Sequence, residues 1–129
     1  MGVYSFLAVF GGAGVGACLR WILAIRFNPF FPTVPLGTLA ANLIGGYLIG
    51  VAVAYFAYNT TVPPEIRLLL ITGFMGGLTT FSTFSAETIT LLFRGQYIWA
   101  AVLTACHLGG SLLLTGLGIL TIKMLVVKA

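Results

Sequence analysis

Polar side chains recur at four-residue steps along two stretches of an otherwise apolar chain. Thr38 and Asn42 form one pair, and a longer row consists of His107, Ser111 and Thr115. Residues four apart lie on one face of a helix, so each set makes a stripe. A single hydroxyl in a membrane helix usually bonds its own preceding turn. Asparagine, imidazole and hydroxyl groups all offer donors, however, and together the stripes predict the wall of a narrow polar path.

The available donors favour an anion over a cation as the solute of this path. Arg20 lies near the stripes in the expected arrangement, and the chain contains no aspartate. Glu87 is the one acid inside a predicted span. A buried carboxylate is costly and usually functional, but pairing with Thr83 or Ser85 would make it a structural lock, and both interpretations stay open. His107 taken alone is more typical of a packing residue than of a proton relay or a ligand.

The segment 73–87, GFMGGLTTFSTFSAE, is too polar and too rich in glycine for an ordinary helix in such a chain. A helix from Ile66 to Phe93 would measure roughly 42 Å, against a hydrocarbon core of about 30 Å. Tilt would accommodate the surplus. We instead expect a break at residues 76–80, where glycine can adopt positive φ and threonine hydroxyls can cap freed groups. Irregular backbone at membrane depth persists only when buried in protein or lining a cavity.

Two phenylalanines follow the expected break. Phe81 and Phe84 are three apart, and Ser82 and Ser85 lie one step around the helix. Such a pair usually packs in a core or faces lipid. Because hydroxyl residues flank it here, the positive edges of the rings could instead face an anion. Carbonyl oxygens turned outward at the break would suit a hard cation.

Composition and length predict a membrane protein with four spans. The chain is 60% hydrophobic and 6% charged, whereas soluble domains carry about 25% charged residues. With about 20 apolar residues needed per span, 129 residues hold four spans and little else. We therefore expect residues 1–129 to form one all-α integral membrane domain. Its predicted spans are Tyr4 to Ile25, Leu36 to Tyr58, Ile66 to Phe93 and Tyr97 to Leu125.

The positive charges show no bias between the two membrane sides and form no patch that would bind nucleic acid. The cytoplasmic side normally has the excess. Here Arg20 lies within the first span, and the remaining cations divide into Arg67, Lys123 and Lys128 on one side and Arg26 and Arg94 on the other. A chain without bias can insert both ways, which predicts an antiparallel homodimer. Close helix packing, within the chain or across a dimer, is indicated by the pairs Gly12 and Gly16, Gly46 and Gly50, and Gly73 and Gly77.

Four motifs carry a resemblance to a known family over nearly the full chain. They are Gly14-Val15-Gly16 with Leu19-Arg20-Trp21, Gly37-Thr38-Leu39 with Asn42-Leu43, the run from Gly76 to Glu87, and Gly110-Ser111 with Thr115-Gly116-Leu117-Gly118. The third motif is highly specific. In these motifs the sequence resembles the CrcB/Fluc family of small fluoride channels.

The resemblance implies a fold and an activity. The fold is a bundle of four transmembrane helices with the third broken near its middle, assembled as a dual-topology antiparallel homodimer with two pores. The activity is passive passage of fluoride across the bacterial inner membrane, which relieves fluoride toxicity. It also implies a central structural sodium ion held by the backbone carbonyls of Gly76 and Thr79 from both subunits.

The same resemblance implies roles for individual residues. Phe81 and Phe84 are similar to the aromatic pair that lines each pore, and Asn42 to the asparagine that donates to fluoride. Arg20 resembles the arginine near the aqueous vestibule. Ser111 and Thr115 are similar to the polar track of the fourth span, where many members have serine at the position of His107. The expected fluoride pore is completed by Thr38 and Ser82, and Glu87 is expected to be a structural polar or gating residue.

Three other classes compete with a channel. A small multidrug-resistance-like exporter also has four spans and uses a membrane glutamate for proton exchange, which would be Glu87; that class places its acid in the first span, which has none here. A passive assembly subunit would need none of the polar stripes. An enzyme is disfavoured because no nucleophile, base and orienting group come together in the sequence.

Overall fold

The computed structural model describes residues 2–128, so Met1 and Ala129, the ends of the expected domain, lie outside it. Four helices are long and apolar enough to cross a membrane: Val3–Phe30, Leu36–Tyr58, Pro64–Phe93 and Tyr97–Lys128. The prediction of an all-helical protein with four spans is confirmed, and the chain is a multi-pass membrane protein. The first, third and fourth helices extend beyond their predicted bounds, and the second has the bounds that were predicted.

The first two spans are regular helices joined by a short connection. Helix α1 (Val3–Phe27) continues into a single 3₁₀ turn at Asn28–Phe30. Helix α2 (Leu36–Tyr58) then returns across the bundle. Prolines in the connection prevent α1 from continuing, because proline lacks the amide hydrogen that a helix needs.

The third span consists of two helices separated by two extended residues. Helix α3 covers residues 64–78 and contains a π-helical segment, Leu68–Met75. Helix α4 is Phe81–Phe93. Between them Thr79 has φ −86° and ψ 155°, and Thr80 has φ −150° and ψ 116°. The predicted break is confirmed, and it falls at the threonines.

The predicted role of the glycines at this break is wrong. Gly76 is helical, with φ −62° and ψ −38°, and within residues 2–128 the one positive φ belongs to Gly95. The glycines serve a different purpose, since a Cβ at Gly77 would collide with the carbonyl group of Ala13 in α1. Glycine is therefore required here by the close approach of two helices, and the interruption itself is made by other groups.

The fourth span, α5 (Tyr97–Lys128), runs without interruption. It contains a π-helical segment, Ala105–Gly109, with His107 at its centre. Such segments are rare and frequently mark functional positions. Neither π-helical segment is predicted by the sequence.

The helices pack as two tight pairs, α1 against α3 and α2 against α5. In the second pair, a Cβ at Gly50 would collide with the carbonyl group of Thr115, and one at Gly118 with that of Tyr47. The small-residue pairs therefore make contacts within the chain. This packing holds the break between α3 and α4 beside the polar faces of α2 and α5.

Candidate functional site

A cavity of about 460 Å³ lies against the break in the third span. Residues from α2, α3, α4 and α5 line it, including the two extended threonines. The wall brings together most of the predicted pore residues, namely Asn42, Phe81, Phe84, His107, Ser111 and Thr115, together with Gly76 and Thr79. Thr38, Ser82, Arg20 and Glu87 lie outside this wall.

Asn42 ties α2 to the break. The backbone N–H of Thr80 donates to Asn42 Oδ1 at 2.7 Å, and Asn42 Nδ2 donates to the Thr80 carbonyl at 3.0 Å. The side chain thus pairs both backbone groups of one extended residue. The carbonyl also accepts the first bond of α4, as the N-cap carbonyl does, but the N–H has lost its helical acceptor and would cost several kcal/mol if left unpaired in an apolar medium. Asn42 thus replaces the helical acceptor that the Thr80 N–H loses at the break, and this stabilises the interruption at this position.

Thr80 also begins the next helix. Its Oγ1 accepts from the backbone N–H of Thr83 at 3.1 Å, which is the N-cap bond of α4. The hydroxyls of Thr83 and Ser82 lie 3.0 Å and 3.3 Å from the same Oγ1. The predicted capping by threonine hydroxyls is therefore confirmed. Ser82 is exposed and belongs to this cap.

His107 is the imidazole of the cavity wall. The histidine is 4% exposed, and its Nδ1 atom lies 2.9 Å from Asn42 Nδ2. Its ring centroid is 4.9 Å from that of Phe84, with 30° between the planes. Nε2 is buried and has no hydrogen-bond partner among the described residues. Asn42 and Phe84 thus hold the ring in place within the wall.

The two phenylalanines make an edge-to-face pair. Their ring centroids are 5.5 Å apart at 68°. Phe84 is half-buried against His107, whereas Phe81 is 78% exposed. A ring so exposed contributes little to packing within one chain. The interpretation of the pair as ordinary core residues therefore fails for Phe81.

The remaining polar stripe continues along α5. Ser111 and Thr115 are half-buried and follow His107 at successive turns. Thr115 Oγ1 donates across to the carbonyl of Gly46 on α2 at 2.8 Å. Its hydroxyl therefore joins two helices and does not bond its own preceding turn, as a lone threonine would.

Arg20 reaches the break from the other side. Its Nε donates to the Gly77 carbonyl at 3.0 Å, and the residue is half-buried. The guanidinium group thus binds a carbonyl freed by the break. Its expected position at an anion vestibule stays a prediction.

Three freed carbonyls receive no side-chain donor within residues 2–128. The break frees the carbonyls of residues 76–79, and Arg20 takes that of Gly77, which leaves those of Gly76, Leu78 and Thr79. Oxygen atoms of unwound backbone suit a hard cation such as sodium. Across the same described residues no cluster of three His, Cys, Asp or Glu side chains could hold a metal ion. A cation bound at the break would therefore be held by backbone oxygen.

Glu87 has a different partner from those expected. Its carboxyl group lies within hydrogen-bonding reach of the Thr38 side chain, and Oε2 is buried without a partner among the described residues. Thr83 bonds Thr80 instead. The pairing of Glu87 with Thr83 or Ser85 is wrong because α4 turns the carboxyl toward α2, where Thr38 lies.

Sequence reasoning missed one polar residue in this region. Asn28 Oδ1 accepts from the backbone N–H groups of Gly37 and Thr38, at 2.8 Å and 3.1 Å. Asn28 thereby caps the N-terminus of α2 from the far end of the preceding connection. The sequence signals for caps place the capping residue next to the helix, and they cannot reveal this arrangement.

Comparison with known proteins places the chain in a family. A family model described as "CrcB-like protein, Camphor Resistance (CrcB)" matches residues 7–119. A protein of Nitrosospira multiformis named Fluoride-specific ion channel FluC is 62% identical over 125 residues, covering 97% of this chain and 98% of the relative. Proteins of the same name from Tolumonas auensis (58% over 123 residues, 95% and 97% coverage) and Burkholderia pseudomallei strain 668 (59% over 120 residues, 93% and 94% coverage) are also similar.

The relatives carry the name of an ion channel and not of an enzyme. No relative among them supports the multidrug-resistance-like exporter. With a family model matching most of its length and relatives near 60% identity, the chain belongs to the CrcB family, and it is not an enzyme.

Proposed function

We propose that the chain is a passive, fluoride-selective channel of a bacterial inner membrane, which relieves cytoplasmic fluoride toxicity. The relatives' names support the ion, and their bacterial sources support the membrane. The observation that carries the proposal is the cavity against the interrupted third span, whose wall combines amide, imidazole and hydroxyl groups from several helices. Such a wall can replace the water around a small anion.

The physical chemistry of the site favours fluoride over larger halides. Fluoride is small and strongly hydrated, so a path that admits it must offer short hydrogen bonds in place of water. A narrow bore between closely packed helices would exclude larger ions by size. A passive path also needs no machinery for coupling to an energy source.

We assign proposed roles to the wall on this basis. Phe81 and Phe84 present ring edges to the ion, and polar contacts come from Asn42, His107, Ser111 and Thr115. Thr38 and Ser82 would extend the path beyond this cavity. Arg20 would attract anions at the vestibule, while Glu87 would act as a structural polar or gating group.

The functional unit of the proposal is an antiparallel homodimer with two pores. The balanced positive charge permits both orientations. Phe81, 78% exposed in the single chain, would be covered by the second copy. Each pore would then combine helices of both subunits.

A structural sodium ion is proposed at the centre of this dimer. The carbonyl oxygens of Gly76 and Thr79 fit it, since both are freed by the break and neither receives a side-chain donor within residues 2–128. Bound there, sodium would supply positive charge that pairs these oxygens. The role is structural, and conduction does not pass through it.

Fluoride efflux from liposomes that contain the purified protein tests the function. The expected result is rapid loss of fluoride, read with a fluoride electrode, and no loss of chloride from matched vesicles. Equal efflux of both ions, or none of fluoride, would refute the proposal.

A further inference from the structure

The backbone around Asn28 is held in place from both ends. Its own N–H donates to the Ala24 carbonyl at the end of α1. Three residues on, the ring of Phe31 packs edge to face on Trp99 of α5, with the centroids 5.4 Å apart. Val34, further along the same connection, is buried against α4 and α5. The side chain of Asn28 therefore extends from a fixed position near the start of α2.

The cap of α2 fixes the direction of the hydrogen bonds around Thr38. The backbone N–H groups of Gly37 and Thr38 need an acceptor, so Asn28 must turn Oδ1 toward them, at 2.8 Å and 3.1 Å. Its Nδ2 then faces Thr38 Oγ1 at 3.4 Å and donates to it. Because the Thr38 oxygen accepts from Asn28, the hydrogen of the same hydroxyl points away from Asn28.

The acceptor for this hydrogen is the carboxyl group of Glu87. That group lies within hydrogen-bonding reach of Thr38. Thr38 is 2% exposed, so bulk water does not compete for the hydroxyl. The second carboxyl oxygen, Oε2, is buried without a partner among the described residues. An ionised carboxylate only accepts, so Thr38 must donate to it. Asn28 sets the one arrangement in which Thr38 does so.

The pair of Thr38 and Glu87 lies one helical turn beyond the cavity. On α2, Thr38 precedes Asn42 by four residues, and on α4, Glu87 follows Phe84 by three. Asn42 and Phe84 line the cavity, whereas Thr38 and Glu87 lie outside its wall. A carboxylate turned into the cavity would occupy the donors that an anion needs and would repel the anion at short range. The bond to Thr38 keeps Glu87 away from those donors.

We propose that Asn28 is a positioning residue for conduction, which directs the Thr38 hydroxyl so that this hydroxyl holds the Glu87 carboxyl group outside the cavity. The inference rests on the proposed fluoride conduction. It adds a residue of the first connection to the groups on which conduction depends. Asn28 acts through Thr38 and does not touch the ion.

The substitution Asn28→Asp separates capping from orientation. An aspartate keeps the oxygen that accepts from the two backbone N–H groups, and a helix N-terminus favours its charge. It has no hydrogen for Thr38, whose hydroxyl turns to the new carboxylate and releases Glu87. We expect Asn28→Asp to unfold at the same denaturant concentration as the unsubstituted protein. We expect it to lower fluoride efflux by about tenfold, as for the loss of one hydrogen bond to a charged group.

A double-mutant cycle separates this effect from direct repulsion by the new charge. In Thr38→Val protein there is no hydroxyl to redirect, so adding Asn28→Asp should change efflux by less than about twofold. A further drop in the double variant, multiplying the two single losses, would show that the charge acts directly and would overturn the proposal. Unchanged efflux in Asn28→Asp alone would overturn it as well.

Infrared spectroscopy provides a second measurement that does not depend on conduction. The chain has two acidic residues, Glu65 and Glu87. In Glu65→Gln protein grown with glutamate labelled with carbon-13 in its side-chain carboxyl group, Glu87 gives the one labelled carboxyl band, separate from any aspartate. The band should shift in Asn28→Asp and in Thr38→Val, and an unchanged band in Asn28→Asp would overturn the proposal. Absence of fluoride efflux from the unsubstituted protein would refute the proposed function, while the band would still report whether Asn28 controls Glu87.

Discussion

Replacing Asn42 with alanine removes the side chain that holds the third span open. The substitution deletes three hydrogen bonds of 2.7 to 3.0 Å, two of them to the backbone of Thr80. Thr80 is 9% exposed, so water cannot readily replace the lost partner. Each buried polar group left unpaired costs about 1–3 kcal/mol. The Thr80 N–H loses its acceptor, whereas the Thr80 carbonyl, as the N-cap carbonyl of α4, keeps the first helical bond. We therefore expect Asn42→Ala to lower the free energy of unfolding by about 1–3 kcal/mol.

The same helix offers a matched control. Asn59, at the C-terminal end of α2, donates its amide to the Tyr55 carbonyl at 3.2 Å in an exposed position. Asn59→Ala should change stability by less than about 0.5 kcal/mol, as is usual for surface sites. The assay is reversible unfolding of each purified variant in mixed micelles with increasing denaturing detergent. Equal stability of the Asn42 and Asn59 variants would refute the claim that Asn42 supports the break.

Three further outcomes follow from the packing and the proposed site. Phe81→Ile should lower fluoride efflux by about tenfold, since an aromatic contact of about 1.5 kcal/mol corresponds to that factor. The control variant Phe93→Ile, in an 88% exposed position on α4, should leave efflux unchanged. Equal loss of efflux in both variants would contradict the pore assignment. Gly77→Ala should destabilise the fold by about 1–3 kcal/mol, because the added methyl group overpacks the contact with α1. At Gly116 an added methyl group meets open space, so Gly116→Ala should leave stability unchanged. Thermal unfolding of the two variants measures the difference. Replacing sodium with a larger monovalent cation should weaken dimer assembly or fluoride efflux, and indifference of both would count against the carbonyl site.

The four spans and the break are predictable because they follow from strong local signals. Long apolar segments identify membrane helices, and the four-residue spacing of His107, Ser111 and Thr115 places all three on one wall of the cavity. The polar run after Gly73 likewise marks the interruption. In these cases the information lies within one segment of the chain.

The rest depends on contacts between segments. The cause of the break lies in Asn42, which is 38 positions from Thr80 in the chain, and no periodicity links the two. The glycines before the break resemble a flexible hinge, yet the position of α1 decides their role. The π-helical turn around His107 leaves no recognisable sequence pattern. The antiparallel dimer, the sodium ion and the roles of the individual pore residues stay predictions.

The most direct test of the account is the rate of fluoride efflux from liposomes that contain the purified protein, measured beside chloride under the same gradient. The account predicts fast fluoride efflux without chloride efflux, and a large loss of fluoride efflux in Asn42→Ala protein that remains folded. Fluoride efflux that stays unchanged in this variant would contradict the claim that donors gathered at the interrupted third span form the path of the ion.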